Sequence, residues 1–204
     1  MSSYTPLEGH LMSLEHAILG FLEREPMTGY DLKNRCFDDA AGHLWNADQA
    51  QVYRTLDRLA QRGFARSRVF PQRGRPDRKV YRITPRGRDE LRSWLHAHQP
   101  LAPARDQLLV RLAMADGLPD EEIAGLLARA RADYQSRLEA LRADAASPVP
   151  GCAAVDERGS ELYRMTLGAA ISATRAVIDW IDDSTDRIAQ GLPAGAPRPS
   201  SEGA

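Results

Sequence analysis

The chain has 204 residues, 43% of them hydrophobic and 27% charged, with a net charge of −1. This composition is typical of one large or two small globular domains and excludes disorder of the whole chain. No stretch approaches the ~18 to 20 apolar residues of a membrane-spanning helix, and the N-terminus lacks the basic and apolar segments of a secretory signal, so we expect a cytoplasmic protein without a membrane partner. Cys36 and Cys152, far apart in the chain, exclude a disulfide framework and a cysteine-rich zinc site.

Two helix patterns open the chain. The first follows a possible cap at Ser13, ends near Pro26, and carries apolar residues at helical spacing at Leu14, Ile18, Phe21 and Leu22. A short second helix is predicted over Thr28–Cys36, with Thr28 as its cap. Tyr30 is predicted to be a core residue beneath this helix.

The third pattern is stronger. Asp48 and Gln51 stand three residues apart, as in a capping box, and predict a helix that ends at Gly63. Its apolar stripe consists of Val52, Leu56 and Leu59. The opposite face is polar and presents Gln49, Tyr53, Arg54, Asp57 and Arg58.

After Gly63 the apolar period changes from helical to near two. Phe64–Phe70 and Arg78–Ile83 mix β-branched and aromatic residues with arginines, and the PQRGRPD segment between them contains two prolines and a glycine. Together they predict a hairpin with an arginine-rich tip. Thr84 and Pro85 then start a fourth helix, whose predicted face consists of Leu91, Trp94, Leu95 and His98. Three helices, a hairpin and a helix are the order of a winged helix-turn-helix module.

Charge is distributed unevenly along the chain. Residues 1–100 carry a net charge of +4 and residues 101–204 a net charge of −5. Within Arg54–Arg92 there are 13 basic and 4 acidic residues, a net charge of +9. A charged segment is usually only a solvated face, but at this density a polyanion partner is the better interpretation.

The second half is predicted to be helical. Residues 104–146 form two helices separated at 117–119, and a long helix follows over 156–190. The apolar seam of the middle helix is Ile123, Leu127, Ala130, Tyr134, Leu138 and Leu141. The apolar side of the last helix is Leu162, Met165, Ala169, Ala173, Ala176, Val177, Trp180 and Ile181. Residues 191–204 are predicted to be a disordered tail.

Two long apolar stripes make a poor core without further helices, which favours dimerisation over simple packing against the N-terminal half. The predicted fold is therefore mainly α with a small β-hairpin. It comprises a winged helix-turn-helix DNA-binding domain over 1–100, a helical dimerisation domain over 101–190 and the tail over 191–204.

Several segments resemble the PadR family of transcriptional regulators. They are AILGFL at 17–22, PMTGYDL at 26–32, QVYRTLDRL at 51–59 and GRPDRKVYRITPRGRDEL at 74–91, followed by a looser resemblance from 103–116 onward. Thr28 stands where family members often have His, and Asp48-Gln49 where they often have a Ser-Pro-type helix start. The resemblance implies a homodimer on a palindromic double-stranded DNA operator. It also implies a dimer interface that can admit flat aromatic effectors.

The predicted DNA-binding residues lie on the third helix and the hairpin. Gln51 either is only the partner of Asp48 in the cap or reads an adenine, and Tyr53 either packs its ring or reaches a phosphate. The arginines are either solvated or in contact with phosphates and the minor groove. The full predicted set is Gln49, Gln51, Tyr53, Arg54, Arg58, Arg73, Arg75 and Lys79.

We predict no enzymatic activity, cofactor or metal site, because the chain has no GxSxG, no glycine-rich phosphate loop and no HExxH, and His96 and His98 point two ways on a helix. Trp94 and Trp180 either belong to the core or flank an effector cavity between subunits. The predicted function is a cytoplasmic homodimeric repressor released by a small aromatic or drug-like effector. The alternative is a winged-helix protein-interaction module without direct DNA binding.

Overall fold

The structure is a computed structural model that describes residues 8–40, 47–71, 74, 77–98, 106–149 and 156–193. The chain divides into an N-terminal unit, 1–100 with 147–165, and a C-terminal unit, 101–146 with 166–204. The sequence predicts a single boundary at residue 100; here 147–165 groups with the N-terminal unit, where Tyr163 packs against the core. Among the described helices, none combines the length and the hydropathy needed to cross a membrane.

The N-terminal unit begins with helix α1, Glu8–Arg24. Ser13 therefore lies inside the helix, and the cap predicted there is wrong, because Leu11 already extends the apolar spacing of Leu14 and Ile18 toward the N-terminus. Helix α2, Gly29–Asp31, continues as a π-helix over Leu32–Ala40. The predicted cap is confirmed, since Thr28 Oγ1 accepts a hydrogen bond of 3.0 Å from the backbone N–H of Asp31.

Tyr30 is 65% exposed, so its predicted place in the core is wrong. The buried residue at this point is Gly29, and a Cβ added there would lie 2.6 Å from the ring of Tyr53. The chain can approach the third helix this closely only with a glycine, and the side chain that follows remains in solvent.

Cys36 is buried, with its Sγ 3.6 Å from Met27 Sδ, whereas Cys152 lies outside the described residues.

Helix α3, Gln49–Gln61, confirms the third helix pattern at both ends. Asp48 caps its N-terminus, and Gly63 follows its C-terminus with a φ of 74°, a conformation that favours glycine. The inward face of α3 consists of Val52, Thr55, Leu56 and Leu59, all buried.

A three-stranded antiparallel sheet follows, in the order β1-β3-β2. Strands β2, Ala65–Phe70, and β3, Arg78–Ile83, form the predicted hairpin, with Ala65 opposite Ile83 and Phe70 opposite Arg78. The third strand, β1 over Met27–Thr28, was not predicted, because two residues are too few to show a period.

Helix α4, Pro85–His96, begins at the predicted Thr84 cap. Leu91 and Trp94 are partly buried, but Leu95 is 67% exposed and the helix ends before His98, so the packed face is narrower than predicted. The core that α1, α3, α4 and the sheet enclose includes Ile18, Leu19, Leu22, Met27, Leu32, Val52, Leu56, Leu59, Tyr81 and Ile83.

The C-terminal unit contains helix α5, Gln107–Ala113, helix α6, Asp120–Ala146, and most of helix α7, Glu157–Ala189. The predicted seam of α6 is confirmed, since Ile123, Leu127, Leu138 and Leu141 are buried and Ala130 and Tyr134 are partly buried. Arg131 of α6 donates two hydrogen bonds to Asp182 of α7, at 2.6 and 3.1 Å, which lower the pKa of that carboxyl.

Helix α7 buries a different side from the predicted one. Its buried residues are Leu167, Thr174, Ile178, Ile181 and Ile188. Of the predicted side, Ile181 is buried and Val177 and Trp180 are partly buried, while the rest is exposed in the single chain: Leu162, Met165, Ala169, Ala173 and Ala176. The helix therefore carries two apolar faces, one packed within the chain and one open.

Candidate nucleic-acid interface

The N-terminal turn of α3 is held by a reciprocal capping box. The backbone N–H of Gln51 donates to Asp48 Oδ1 at 2.7 Å, and the backbone N–H of Asp48 donates to Gln51 Oε1 at 3.1 Å. The Oε1 of Gln51 is thus engaged in the cap, and its amide Nε2 is the group left for a base edge. Gln49 beside it is exposed. The cap fixes the turn from which both glutamine side chains emerge.

Tyr53 and Arg54 occupy the outward face of α3. The Tyr53 ring packs on Gly29 yet remains 38% exposed, so ring packing does not remove the side chain from the surface. Arg54 is exposed and makes no ion pair or hydrogen bond with another described residue. Arg54 is therefore the arginine of this helix whose guanidinium is available to a phosphate.

Arg58 is placed differently. Its Nε donates to Glu15 Oε1 at 2.5 Å, and Arg62 Nη1 donates to Glu15 Oε2 at 2.6 Å. The Arg58 side chain is 37% exposed, whereas that of Glu15 is only 7% exposed. Glu15 was not predicted as a site residue, because it lies 43 residues from Arg58 in the sequence.

The hairpin adds a basic surface. Lys79 lies 3.3 Å from Asp57 Oδ1 on α3 and 5.0 Å from the centre of the Tyr81 ring. Hydrogen bonding with Tyr81 and then with Asp57 raises the pKa of Lys79 above its usual value, which reinforces the positive charge that a lysine already carries at neutral pH. Arg73 and Arg75, the predicted tip residues, lie outside the described residues.

Further exposed arginines follow the two strands. Arg66 lies opposite Arg82 in the register, and Arg68 is two residues from Arg66, so these three side chains share one face of the sheet. None of them was selected from the sequence. Their alternation along β2 is the signal that could have identified them.

The two candidate effector residues lie in different units. The Trp94 ring stacks on His16 at 4.7 Å between centroids with an interplanar angle of 9°, so one of its faces is covered. Trp180 packs partly buried against the core of the C-terminal unit. The same unit contains a cavity of about 310 Å³, whose apolar lining includes Leu112, Ile123, Leu127 and Ile188.

Within the described residues no cluster of His, Cys, Asp and Glu could hold a metal ion.

Two family models match the sequence. The one described as "Transcriptional regulator PadR-like family" matches residues 18–93, and the one described as "Virulence activator alpha C-term" matches residues 104–189. The first therefore covers the C-terminal part of α1, all of α2, α3 and the hairpin, and most of α4. These elements include the described part of the candidate DNA surface. The second covers the described helices of the C-terminal half.

Similar proteins agree with these matches. A Mycobacterium tuberculosis (strain ATCC 25618 / H37Rv) protein named "Probable transcriptional regulator Rv1176c" is 30% identical over 194 residues, which are 87% of this chain and 98% of the relative. "Negative transcriptional regulator PadR" of Bacillus subtilis (strain 168) is 30% identical over 130 residues, 63% of this chain and 71% of the relative.

Several solved structures have the same fold as this chain. Bacillus subtilis PadR in complex with operator DNA superposes with a TM-score of 0.75 at 25% identity, covering 86% of this chain and 99% of that one. The same protein in complex with p-coumaric acid superposes with a TM-score of 0.70 at 24% identity, covering 92% of this chain and 99% of that one. The Vibrio cholerae virulence activator AphA superposes with a TM-score of 0.69 at 25% identity, covering 88% of this chain and 99% of that one.

Proposed function

Because the chain belongs to the PadR-like family of transcriptional regulators, we propose that it is a repressor that binds a palindromic operator as a homodimer and is released by a small aromatic or drug-like effector. The proposal depends mainly on the outward face of α3. Gln49, Tyr53 and Arg54 are exposed on this face, and the opposite face of the helix is buried. A regulator of the same fold was solved in complex with operator DNA.

In the proposed complex α3 enters the major groove and the hairpin lies beside it. Gln49 and Gln51 face base edges from the first turn, where an amide can pair with adenine. Tyr53 and Arg54 contact phosphates, as do Lys79 and the hairpin arginines Arg73 and Arg75. Arg58 is the exception in the predicted set, because its guanidinium is engaged by Glu15.

The open face of α7 supports the homodimer. Ala169, Ala173 and Ala176 are exposed on the C-terminal unit, and Leu162 and Met165 are 52% and 62% exposed farther toward the N-terminus of the same helix. Soluble proteins rarely leave a long apolar face in water, and a second copy related by a two-fold axis would cover it without leaving an open end. A dimer would also set the spacing of the two α3 helices at about 34 Å, one turn of DNA.

The names of the relatives support repression and release. One is called a negative regulator, and its structure with p-coumaric acid is known. An aromatic effector would act by binding more tightly to a dimer whose α3 helices have the wrong spacing. Trp94 of the N-terminal unit and Trp180 of the C-terminal unit are each proposed as a residue on which such a molecule stacks, since indole rings stack on flat molecules.

A gel-shift experiment on the DNA upstream of the protein's own gene tests the proposal. We expect a retarded complex that survives an excess of random duplex and disappears as salt is raised. The competing function, a winged-helix module that binds proteins only, predicts no retarded complex even at low salt. The net charge of +9 within Arg54–Arg92 favours the DNA-binding function.

A further inference from the structure

Glu15 is a buried carboxylate held by Arg58 of α3 and by Arg62, the residue that follows the last residue of that helix. Its side chain is 7% exposed, and each of its oxygens accepts from a different guanidinium, Arg58 at 2.5 Å and Arg62 at 2.6 Å. Arg58 also lies 3.4 Å from Thr55 Oγ1 on the same helix. The carboxylate thus links α1 to the C-terminal half of α3 by two charged hydrogen bonds.

We propose that Glu15 is a positioning residue that determines DNA specificity. It withholds Arg58 and Arg62 from the phosphate backbone and fixes α3 against α1, so that base contacts rather than charge decide where the protein binds. The inference rests on the proposed function, namely that α3 lies in the major groove.

Burial explains why this link persists. A carboxylate removed from water is stable only when its oxygens are paired, and the two guanidinium groups satisfy both oxygens at once. The arginines themselves are 37% and 42% exposed, so they lie at the surface and are restrained by Glu15 rather than by burial. Without the carboxylate, both would be long flexible cations on the helix that approaches DNA.

Freed arginines would change binding in a defined direction. Each additional phosphate contact makes the slope of log affinity against log salt steeper by about 0.9 and adds affinity for any sequence. Such contacts carry no sequence information, so the ratio of specific to non-specific affinity falls. Arg54, exposed on the same helix and with no described ion-pair partner, is the reference arginine for this effect.

Glu23 provides a matched control. It lies on the same helix as Glu15 and pairs with Arg88 of α4 at 2.6 Å rather than with α3. Glu23→Gln removes the same negative charge from the same unit without freeing an arginine of α3. Any general effect of net charge on DNA affinity therefore appears in both variants.

The experiment compares the wild type, Glu15→Gln and Glu23→Gln by fluorescence anisotropy over a range of salt. The two probes are a duplex selected by the wild type from a randomised pool and a duplex of random sequence. We expect Glu15→Gln to bind the random duplex about three- to tenfold more tightly at low salt, with a salt slope steeper by up to about 1.8 than that of Glu23→Gln. Its ratio of selected to random affinity falls about tenfold. Equal slopes and equal ratios in the two variants would overturn the proposal.

A second pair of variants tests the inference even if Glu15→Gln does not fold. Arg62→Gln leaves Glu15 paired with Arg58, and we expect its salt slope to equal that of the wild type. Arg54→Gln is expected to lower the slope by about 0.9. A decrease of that size in Arg62→Gln would place Arg62 on a phosphate and contradict the inference. Failure of the wild type to bind either duplex would instead refute the proposed function, and the inference with it.

Discussion

Gly87 shows how one residue fixes the base of the hairpin against α4. A Cβ added there would lie 2.1 Å from the carbonyl oxygen of Phe64, and the backbone N–H of Gly87 donates to Thr84 Oγ1 at 3.0 Å. Thr84 in turn donates its hydroxyl to the carbonyl of Gly63 at 2.7 Å. The end of α3, the start of β2 and the first turn of α4 therefore meet at a point where no side chain fits.

We expect Gly87→Ala to destabilise the protein by about 2–4 kcal/mol, since the clash is with backbone that cannot move away. Gly20→Ala is the matched control. A Cβ at Gly20 meets nothing within 4 Å, and alanine favours the helix by about 0.5–1 kcal/mol. Urea denaturation of both variants measures the difference. Equal stability of the two would contradict the packing described at Phe64.

Gln51 forms the cap of α3 with Asp48 and is also proposed to contact a base. Gln51→Ala is expected to lose discrimination at one or two base positions by about 1–3 kcal/mol while leaving affinity for random duplex nearly unchanged. The capping hydrogen bond to Asp48 disappears at the same time, so thermal melting must accompany the binding assay. A lower melting temperature with a uniform loss of affinity at all sites would show that Gln51 serves only the cap.

At the scale of helices and strands, the sequence predicts features that depend on neighbouring residues better than contacts between residues far apart in the chain. The two ends of α3 follow from Asp48, Gln51 and Gly63, since caps depend on neighbours in the sequence. The link from Glu15 to Arg58 could not be predicted, because it joins residues 43 apart whose types are common on any surface. The buried side of α7 was missed for another reason. Its alanines continue an apolar pattern on the open side, and the pattern does not say which side packs within one chain.

In the proposed complex the hairpin contributes to DNA binding mainly through its positive charge. Replacing Arg73 and Arg75 together with Ala is expected to weaken binding to all duplexes and to reduce the salt slope by about one to two. Arg137→Ala with Arg142→Ala, two exposed positions on α6, removes the same charge away from the hairpin and is expected to leave both quantities unchanged. The DNA affinities of the two double variants, measured over a range of salt concentrations, test this prediction. Identical slopes would mean that the hairpin tip does not touch phosphate.

The whole molecule combines a basic N-terminal part with an acidic, helical C-terminal part. Residues 1–100 carry a net charge of +4 and residues 101–204 a net charge of −5. The positive charge is concentrated where α3 and the hairpin lie, and the open apolar face lies on α7. This separation agrees with the proposed function, in which one part binds DNA and the other joins two copies.

Charges placed on the open face of α7 should separate the two copies of the proposed dimer. Ala169→Glu with Ala173→Glu is expected to give a folded monomer, because both positions are exposed in the single chain. Its affinity for a palindromic duplex should fall about a hundredfold or more, since the second α3 is no longer tethered nearby. Ala128→Glu with Ala132→Glu, two exposed positions on α6, is the control. Sedimentation equilibrium of both variants provides the measurement, and a stable dimer of the first would place the interface elsewhere.

The stoichiometry of the DNA complex tests most directly the claim that two copies bind one operator through α3. Sedimentation velocity of the full chain, mixed with the duplex that it selects from a randomised pool, gives the mass of the complex. We predict two chains per duplex, with no stable complex of one chain at intermediate ratios. A complex that saturates with a single chain would contradict the account.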